Sequence, residues 1–260
     1  MEMRRWCNRS VIVMVIVVLG AAVRPVAADE LHTVAPGETV ASIAAAHGSS
    51  VDAVITNNGI TDVRNLRVSQ QLVMPERQAP VITGVLPYQQ QRPLSCEFAS
   101  VYIATAIFGN PIWESVSIAA TPLDPNPHNG FRGNIDGQWG NTDDYGVYAE
   151  ALVANLGTHD FVGEVSYGAD AASLRAQLDL GRPTIAWLGY WGETGSYETD
   201  STGSTYKLVP GYHNVVAYGY DDNVVYIANP GTGTLETYSW DTFLMMWAVM
   251  DGMALSVYPA

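Results

Sequence analysis

Apolar positions between residues 84 and 260 recur with two different periods. Phe98, Val101, Tyr102 and Thr105 follow helical spacing as far as Gly109, and Pro93 and Ser95 precede them. That pattern predicts a helix starting at or next to Cys96. Further on, Val215-Val216-Ala217-Tyr218 and Val225-Tyr226-Ile227-Ala228 flank the polar Asp221-Asp222-Asn223, which predicts a β-hairpin. His213 opens its first strand and Asn229 closes its second, so antiparallel pairing brings both to one edge of a sheet. Trp187, Tyr190 and Trp191 run into a Gly/Ser/Thr-rich stretch ending at Thr205. This predicts a strand followed by a mobile loop that returns to His213 as one wall of a groove. TYSWDTFLMMW, residues 237–247, predicts an edge strand and a short amphipathic helix whose Met245, Met246 and Trp247 serve packing.

Residues 31–75 have a shorter rhythm. His32-Thr33-Val34 predicts a strand closed by a Pro36-Gly37 turn, and Thr39 caps a helix carrying Val40, Ile43, Ala44 and His47 up to Gly48. Ser50 caps a second helix with Val51, Val54 and Ile55 on one face and Asn57-Asn58-Gly59 as its exit. Leu72-Val73-Met74 is the return strand. Such a βααβ unit has little core and is marginal by size. Residues 76–83 (ERQAPVIT) read as a linker. Residues 1–28 read as a secretory signal peptide. Arg4, Arg5 and Arg9 are followed by an apolar run from Val11 to Val23, too short to span about 30 Å of hydrocarbon, and cleavage is expected after Ala28.

Charge and sulfur both change once the signal is removed. The whole chain has 12 basic and 26 acidic residues, net −14. The signal holds four of those basic residues and one acidic, leaving eight and 25, or about −17. So acidic a surface disfavours sequence-independent binding to nucleic acid or to anionic lipid. Of the two cysteines, Cys7 leaves with the signal and Cys96 remains alone, so no internal disulfide is expected.

A thiol at a helix start meets free N–H groups and the positive end of the helix dipole, which favour the thiolate and lower its pKa. The proton needs a base. His32 and His47 belong to the first stretch, and His128, His159 and His213 remain. His213 is the one that topology pairs with a carboxamide, and the Asn229 carbonyl can fix its tautomer. Gln90, six residues before Cys96, is placed to donate to an oxyanion, with Gln89 and Gln91 as alternatives. Asp136, Asp143 and Asp144 lie in a Gly-rich stretch and offer oxygen ligands for Ca²⁺, but their spacing lacks a calcium-loop pattern, so a solvated loop flanking the site is the favoured reading. His128 and His159 lack metal-ligand spacing, so neither metal nor cofactor is expected.

The string HTVAPGETVASIAAAHGSSVDAVITNNGITDVRNLRVSQQLVMP resembles the LysM family along its whole length, with His32, Glu38 and Ser69 in place of the usual aromatic, Asp and Gly. The resemblance implies binding of peptidoglycan or another N-acetylglucosamine-containing glycan through Gly37, Glu38, Thr39 and Ile60. LSCE at a helix start, Gly211-Tyr212-His213 opening a strand and Asn before Pro closing the next resemble the bacteriocin-processing-like (double-glycine peptidase-like) branch of papain-fold cysteine peptidases. DPNPHNGFRGNIDGQWGNTDDYGVYAEAL and LDLGRPTIAWL extend that resemblance across about residues 84–258, the second string resembling the family's helix followed by a Gly-Arg-Pro turn into the first sheet strand. It implies Cys96 as nucleophile, His213 as base, Asn229 as orienter and Gln90 as oxyanion donor. Asn229 stands where this family often has Asp, so it orients the imidazole without adding charge.

The expected architecture is α+β: a LysM module at 31–75, then a papain-like domain at 84–260 with a helical part led by the Cys96 helix against an antiparallel sheet. The expected function is a secreted cysteine peptidase tethered to peptidoglycan and acting on a peptide or protein substrate. One alternative is a cell-wall stem-peptide hydrolase, and another is a catalytically inactive papain-like binding protein of the cell envelope. No nucleic acid and, after signal cleavage, no membrane is expected as partner.

Overall fold

The computed structural model of the chain describes residues 30–47, 49, 51–74, 81–190, 192 and 194–260. The signal segment, the Gly48 stop, the Ser50 cap, Trp191 and linker residues 76–80 lie outside them. The chain divides into two compact units, Met1–Glu76 and Arg77–Ala260.

In the first unit, β1 (Glu30–Thr33) pairs antiparallel with β2 (Gln71–Met74) in the register Leu31↔Val73. Between them lie α1 (Val40–Ala46) and α2 (Val51–Asn58). The Thr39 hydroxyl accepts from Ser42 N–H at 3.1 Å, capping α1 where the sequence predicts it. Gly37 turns the chain at φ +87, and Ser69 stands at φ +70, a left-handed position that favours glycine. Val34, Val40, Ile43, Ala44, Val54, Leu72 and Met74 fill the core. Val51 faces solvent instead of joining Val54. Asn58 closes the unit by bonding the Val73 peptide on both sides, at 2.8 and 2.7 Å.

The second unit is built on one six-stranded antiparallel sheet. Its strands are β3 (Phe161–Ser166), β4 (Thr184–Gly189), β7 (Tyr212–Tyr220), β8 (Val224–Asn229), β9 (Thr234–Ser239) and β10 (Ala254–Pro259), in the order β3-β10-β4-β7-β8-β9. One core, centred on Phe98, Val101, Leu152, Trp187 and Val216, joins α3 (Cys96–Ala106) and α5 (Ala149–Gly157) to one face. A second, with Leu174, Leu178, Val215, Phe243 and Trp247, joins α6 (Ala171–Asp179) and α7 (Trp240–Val249) to the other. α4 (Glu114–Ala120) packs beside α3 and α5. Covered on both faces, β4 is buried at every residue, which is why TIAWLG is an apolar run without alternation.

Three expectations are corrected. The Gly/Ser/Thr-rich run is not a loop but a hairpin, β5 (Ser196–Thr199) paired with β6 (Thr205–Leu208), whose turn is held by Asp200 accepting from Thr202 and Ser204 N–H. It runs beside Arg132, whose guanidinium pairs with Glu198 at 2.8 Å, and forms no wall at His213. Met245 is 65% exposed, on the outer face of α7, while Met246 and Trp247 pack inward. LDLGRPTIAWL leads into β4, which is not the first strand of the sheet, because β3 precedes it. No helix among the described residues is long and apolar enough to cross a membrane.

Candidate active site

Glu114 of α4 anchors the loop that leads into α3. Its buried carboxylate accepts from Tyr88 Oη at 3.0 Å, from Gln91 N–H at 3.0 Å and from the Ser95 hydroxyl. Between Tyr88 and Gln91 the loop is fixed a second time by Gln90 N–H, which donates to Pro230 O at 2.9 Å. That bond ties the segment before Cys96 to the end of β8. Cys96 is therefore the first residue of α3, held against β7, and is only 6% exposed.

His213 lies at the second position of β7 and donates from Nε2 to Asn229 Oδ1 at 2.8 Å. The same oxygen accepts Gly231 N–H at 2.9 Å. A Cβ on Gly231 would stand 3.0 Å from His213 Cε1 and Nε2, so a larger residue there asks the ring to give way by a few tenths of an ångström. Tyr190 packs edge-on against the imidazole, with ring centroids 5.5 Å apart. Behind Asn229, Nδ2 donates to Glu236 at 3.1 and 3.3 Å. Burial pushes Glu236 up, but hydrogen bonds from Thr232, Asn229, Thr234 and Tyr238 outweigh it and hold its pKa below the usual value. A negative charge thus stands one residue behind a neutral orienter.

The thiol environment reverses the expectation from the helix start. Burial, and then the charge of Glu97, push Cys96 well above the usual cysteine pKa, and a hydrogen bond from the Asn214 backbone only partly offsets them. A helix end carries about half an elementary charge, whereas the Glu97 carboxylate lies against the thiol itself, although burial raises its own pKa against the hydrogen bonds from Tyr212 and the Val147 N–H. Cys96 Sγ lies 3.4 Å from Glu97 Oε2 and 3.5 Å from Asn214 Oδ1, and makes no hydrogen bond to His213. Burial lowers the His213 pKa, with Asn229 and Glu236 pulling the other way. With these shifts the thiol and the imidazole are each neutral at pH 7.

A cleft of about 720 Å³ opens over His213 and Asn229, lined also by Gln90, Arg92, Trp139 and Tyr190, while the buried Cys96 lies outside its lining. Trp139 is fixed there by its indole N–H donating to Tyr212 O at 2.8 Å. Gln90 reaches the cleft, but its Nε2 donates to Arg92 O and Pro93 O, each at 2.9 Å, and is not free for an oxyanion. Gln91 Nε2 donates to Tyr88 Oη at 2.9 Å. Asp136 pairs with Arg92, and Asp144 accepts Asn134 N–H at 2.9 Å, so both acidic side chains serve the cleft-side loop. Among the described residues no cluster of three or more His, Cys, Asp or Glu is placed to hold a metal.

In the first unit Gly37 and Thr39 are exposed, and Glu38 and Ile60 are half-buried. The Glu38 carboxylate accepts Ala35 N–H at 2.7 Å and bonds His32 Nε2 at 2.8 Å, so it shapes the first turn. The shallow depression of this unit, about 510 Å³, is lined by Asn65, Arg67, Val68, Ser69 and Gln70 and not by those four residues.

Sequence reasoning missed Glu97, Glu114, Asn214 and Glu236. For Glu97 a signal existed: a carboxylate directly after the thiol, on a helix otherwise apolar. For Glu236 it was the alternation of Thr234, Glu236 and Tyr238, three polar side chains on one face of an edge strand next to Asn229.

The profile of the Peptidase_C39 like family matches residues 82–255, and that of the LysM domain matches residues 32–75. No curated protein matches the chain. Among solved structures, a putative C39-like peptidase from Bacillus anthracis superposes with a TM-score of 0.60 at 20% identity, over 70% of this chain and 98% of that one. At that identity the likeness shows the fold.

Proposed function

The chain belongs to the Peptidase_C39 like family, and from that footing we propose that it is a secreted cysteine peptidase, held at peptidoglycan by its LysM module. The observation that carries the reading is the 2.8 Å bond from His213 Nε2 to Asn229, because it leaves Nδ1 as the free basic nitrogen. In the proposed reaction Nδ1 takes the Cys96 proton as the sulfur attacks the scissile carbonyl carbon. The imidazolium then gives that proton to the leaving amine, and a thioester remains on Cys96. Water, deprotonated by the same imidazole, hydrolyses the thioester and restores the thiol. Gln90 joins as oxyanion donor by releasing the Arg92 or Pro93 carbonyl. The N–H of Cys96, at a helix position without an intrahelical acceptor, is the second donor.

The glycan module favours substrates at the wall, so stem peptides are the second reading. Purified sacculi and an unrelated peptide library separate the two. Release of stem-peptide fragments by the wild type, absent in Cys96→Ala, identifies a wall hydrolase. Cleavage confined to the library identifies a peptidase of other proteins. Loss of activity on sacculi alone after deletion of residues 30–75 is expected, and unchanged sacculus binding would remove the LysM tether from the account.

A further inference from the structure

Cys96 has one thiol proton and two acceptors for it, Glu97 Oε2 at 3.4 Å and Asn214 Oδ1 at 3.5 Å. The other carboxylate oxygen of Glu97 is already taken: Oε1 accepts Val147 N–H at 3.0 Å and the Tyr212 hydroxyl. Oε2 is the oxygen left for the thiol. Gly146 makes this possible, since a Cβ there would collide with both Glu97 Oε1 and the Tyr212 hydroxyl. Glu97 is fully buried, which raises its own pKa, while the hydrogen bonds from Tyr212 and the Val147 N–H favour the ionised form, and among the described residues no cation pairs with it. A buried carboxylate without a counter-charge costs stability. Here it is spent next to the one thiol of the unit.

We propose that Glu97 is a positioning residue for Cys96: its carboxylate takes the thiol hydrogen bond and keeps the sulfur protonated, and off His213, in the resting chain. Asn214 complements it. The Asn214 Nδ2 is buried without a partner, so a turn of that amide offers a donor to the sulfur once the proton has gone to the imidazole. Glu97 can only accept. The remaining ionisable groups around the pair are Tyr212 on β7, Tyr145 beyond it with its ring centroid 4.6 Å from that of Tyr212, and Tyr190 at the end of β4. None of the three carries charge at neutral pH, because burial raises the pKa of each. The idea rests on the cysteine peptidase reading for its purpose, but it concerns the sulfur alone.

The test is the pH dependence of Cys96 alkylation by iodoacetamide, followed by peptide mass so that Cys7 is scored separately. The wild-type midpoint should lie above that of an ordinary thiol, about 8.5. In Glu97→Gln the amide offers N–H to the sulfur, so the midpoint should fall by about one unit or more, with about tenfold faster alkylation at pH 7. Glu97→Asp, which keeps the charge, should stay on the wild-type side. An unchanged or higher midpoint in folded Glu97→Gln overturns the proposal. A measurement needing no Glu97 variant is the infrared S–H stretch in the wild type minus Cys96→Ser difference spectrum at pH 7. The band should be present, and its absence overturns the proposal. Alkylation that ignores His213 alongside absent peptide cleavage would instead sink the peptidase reading and leave the Glu97 result standing.

Discussion

Asn229 stands as a neutral carboxamide between the His213 imidazole and the Glu236 carboxylate. Oδ1 accepts from His213 at 2.8 Å while Nδ2 donates to Glu236 at 3.1 Å. The charge that an aspartate would have supplied directly is set one residue back. Glu236→Gln should therefore leave the ring oriented but weaken the imidazolium formed during reaction, lowering kcat/KM about 10-fold, or roughly 1.4 kcal/mol. Asn229→Asp alone should also lose activity, because two adjoining carboxylates cannot both ionise freely. The double variant Asn229→Asp/Glu236→Gln, with one charge restored, should recover most of it. Steady-state kinetics on the four proteins checks this, and failure of the double variant to exceed Asn229→Asp contradicts it.

The lowered His213 pKa sets a pH window. Its folded value lies below the unfolded value of about 6.5, so the unfolded chain binds the proton first. The stability associated with neutral His213 is full above about pH 6.5 and is lost as pH falls toward the folded value. For the same reason the acid limb of kcat/KM should fall below pH 6.5. Denaturant titrations of wild type and His213→Gln should diverge on going from pH 7.5 to pH 5, with the wild type losing more.

Gly231 is a steric requirement of the site and not of the fold. Gly231→Ala should displace the imidazole and reduce kcat/KM by about 10- to 100-fold, while Tm changes by only a few degrees. A Tm loss as large as that of a core cavity would contradict this division.

Glu114 acts on the same site from a distance. Glu114→Ala removes the acceptor of three donors in the loop before Cys96, leaving Gln91 N–H and the Ser95 and Tyr88 hydroxyls to find others. A loss of about 2–4 kcal/mol in unfolding free energy is expected, read from denaturant curves, along with disorder of residues 88–95 in amide exchange.

The elements around the site were legible because each is written locally. Apolar spacing from Phe98 to Thr105 marks α3, and two β-branched runs around Asp221-Asp222-Asn223 mark β7 and β8, so the meeting of His213 with Asn229 followed from antiparallel pairing. What stayed hidden depends on long-range contact. β3 and β10 pair across more than 80 residues, in the register Leu255↔Val165, and neither segment announces that partner. The β5–β6 hairpin was masked by a composition typical of loops, although Asp200 holds its turn. The direction of the Cys96 pKa was wrong for an electrostatic reason: helix position is readable, but burial and the direction of the Glu97 side chain are not. Gln90 shows the same limit, since its place in the cleft was inferred and the attachment of its amide to Arg92 and Pro93 was not.

In the proposed function Cys96 is a nucleophile served by His213 and Asn229. Labelling of the full chain at pH 7 with a peptidyl vinyl sulfone, located by peptide mass, addresses it most directly. The resting thiol is protonated and slow toward a small alkylator, but a peptidyl probe seated in the cleft engages His213 as base. Cys96 should therefore be modified by it far faster than Cys7 or a free thiol, with the rate falling about 100-fold or more in His213→Ala and less steeply in Asn229→Ala. Labelling of Cys96 no faster than a free thiol, or unaffected by His213→Ala, would contradict the account.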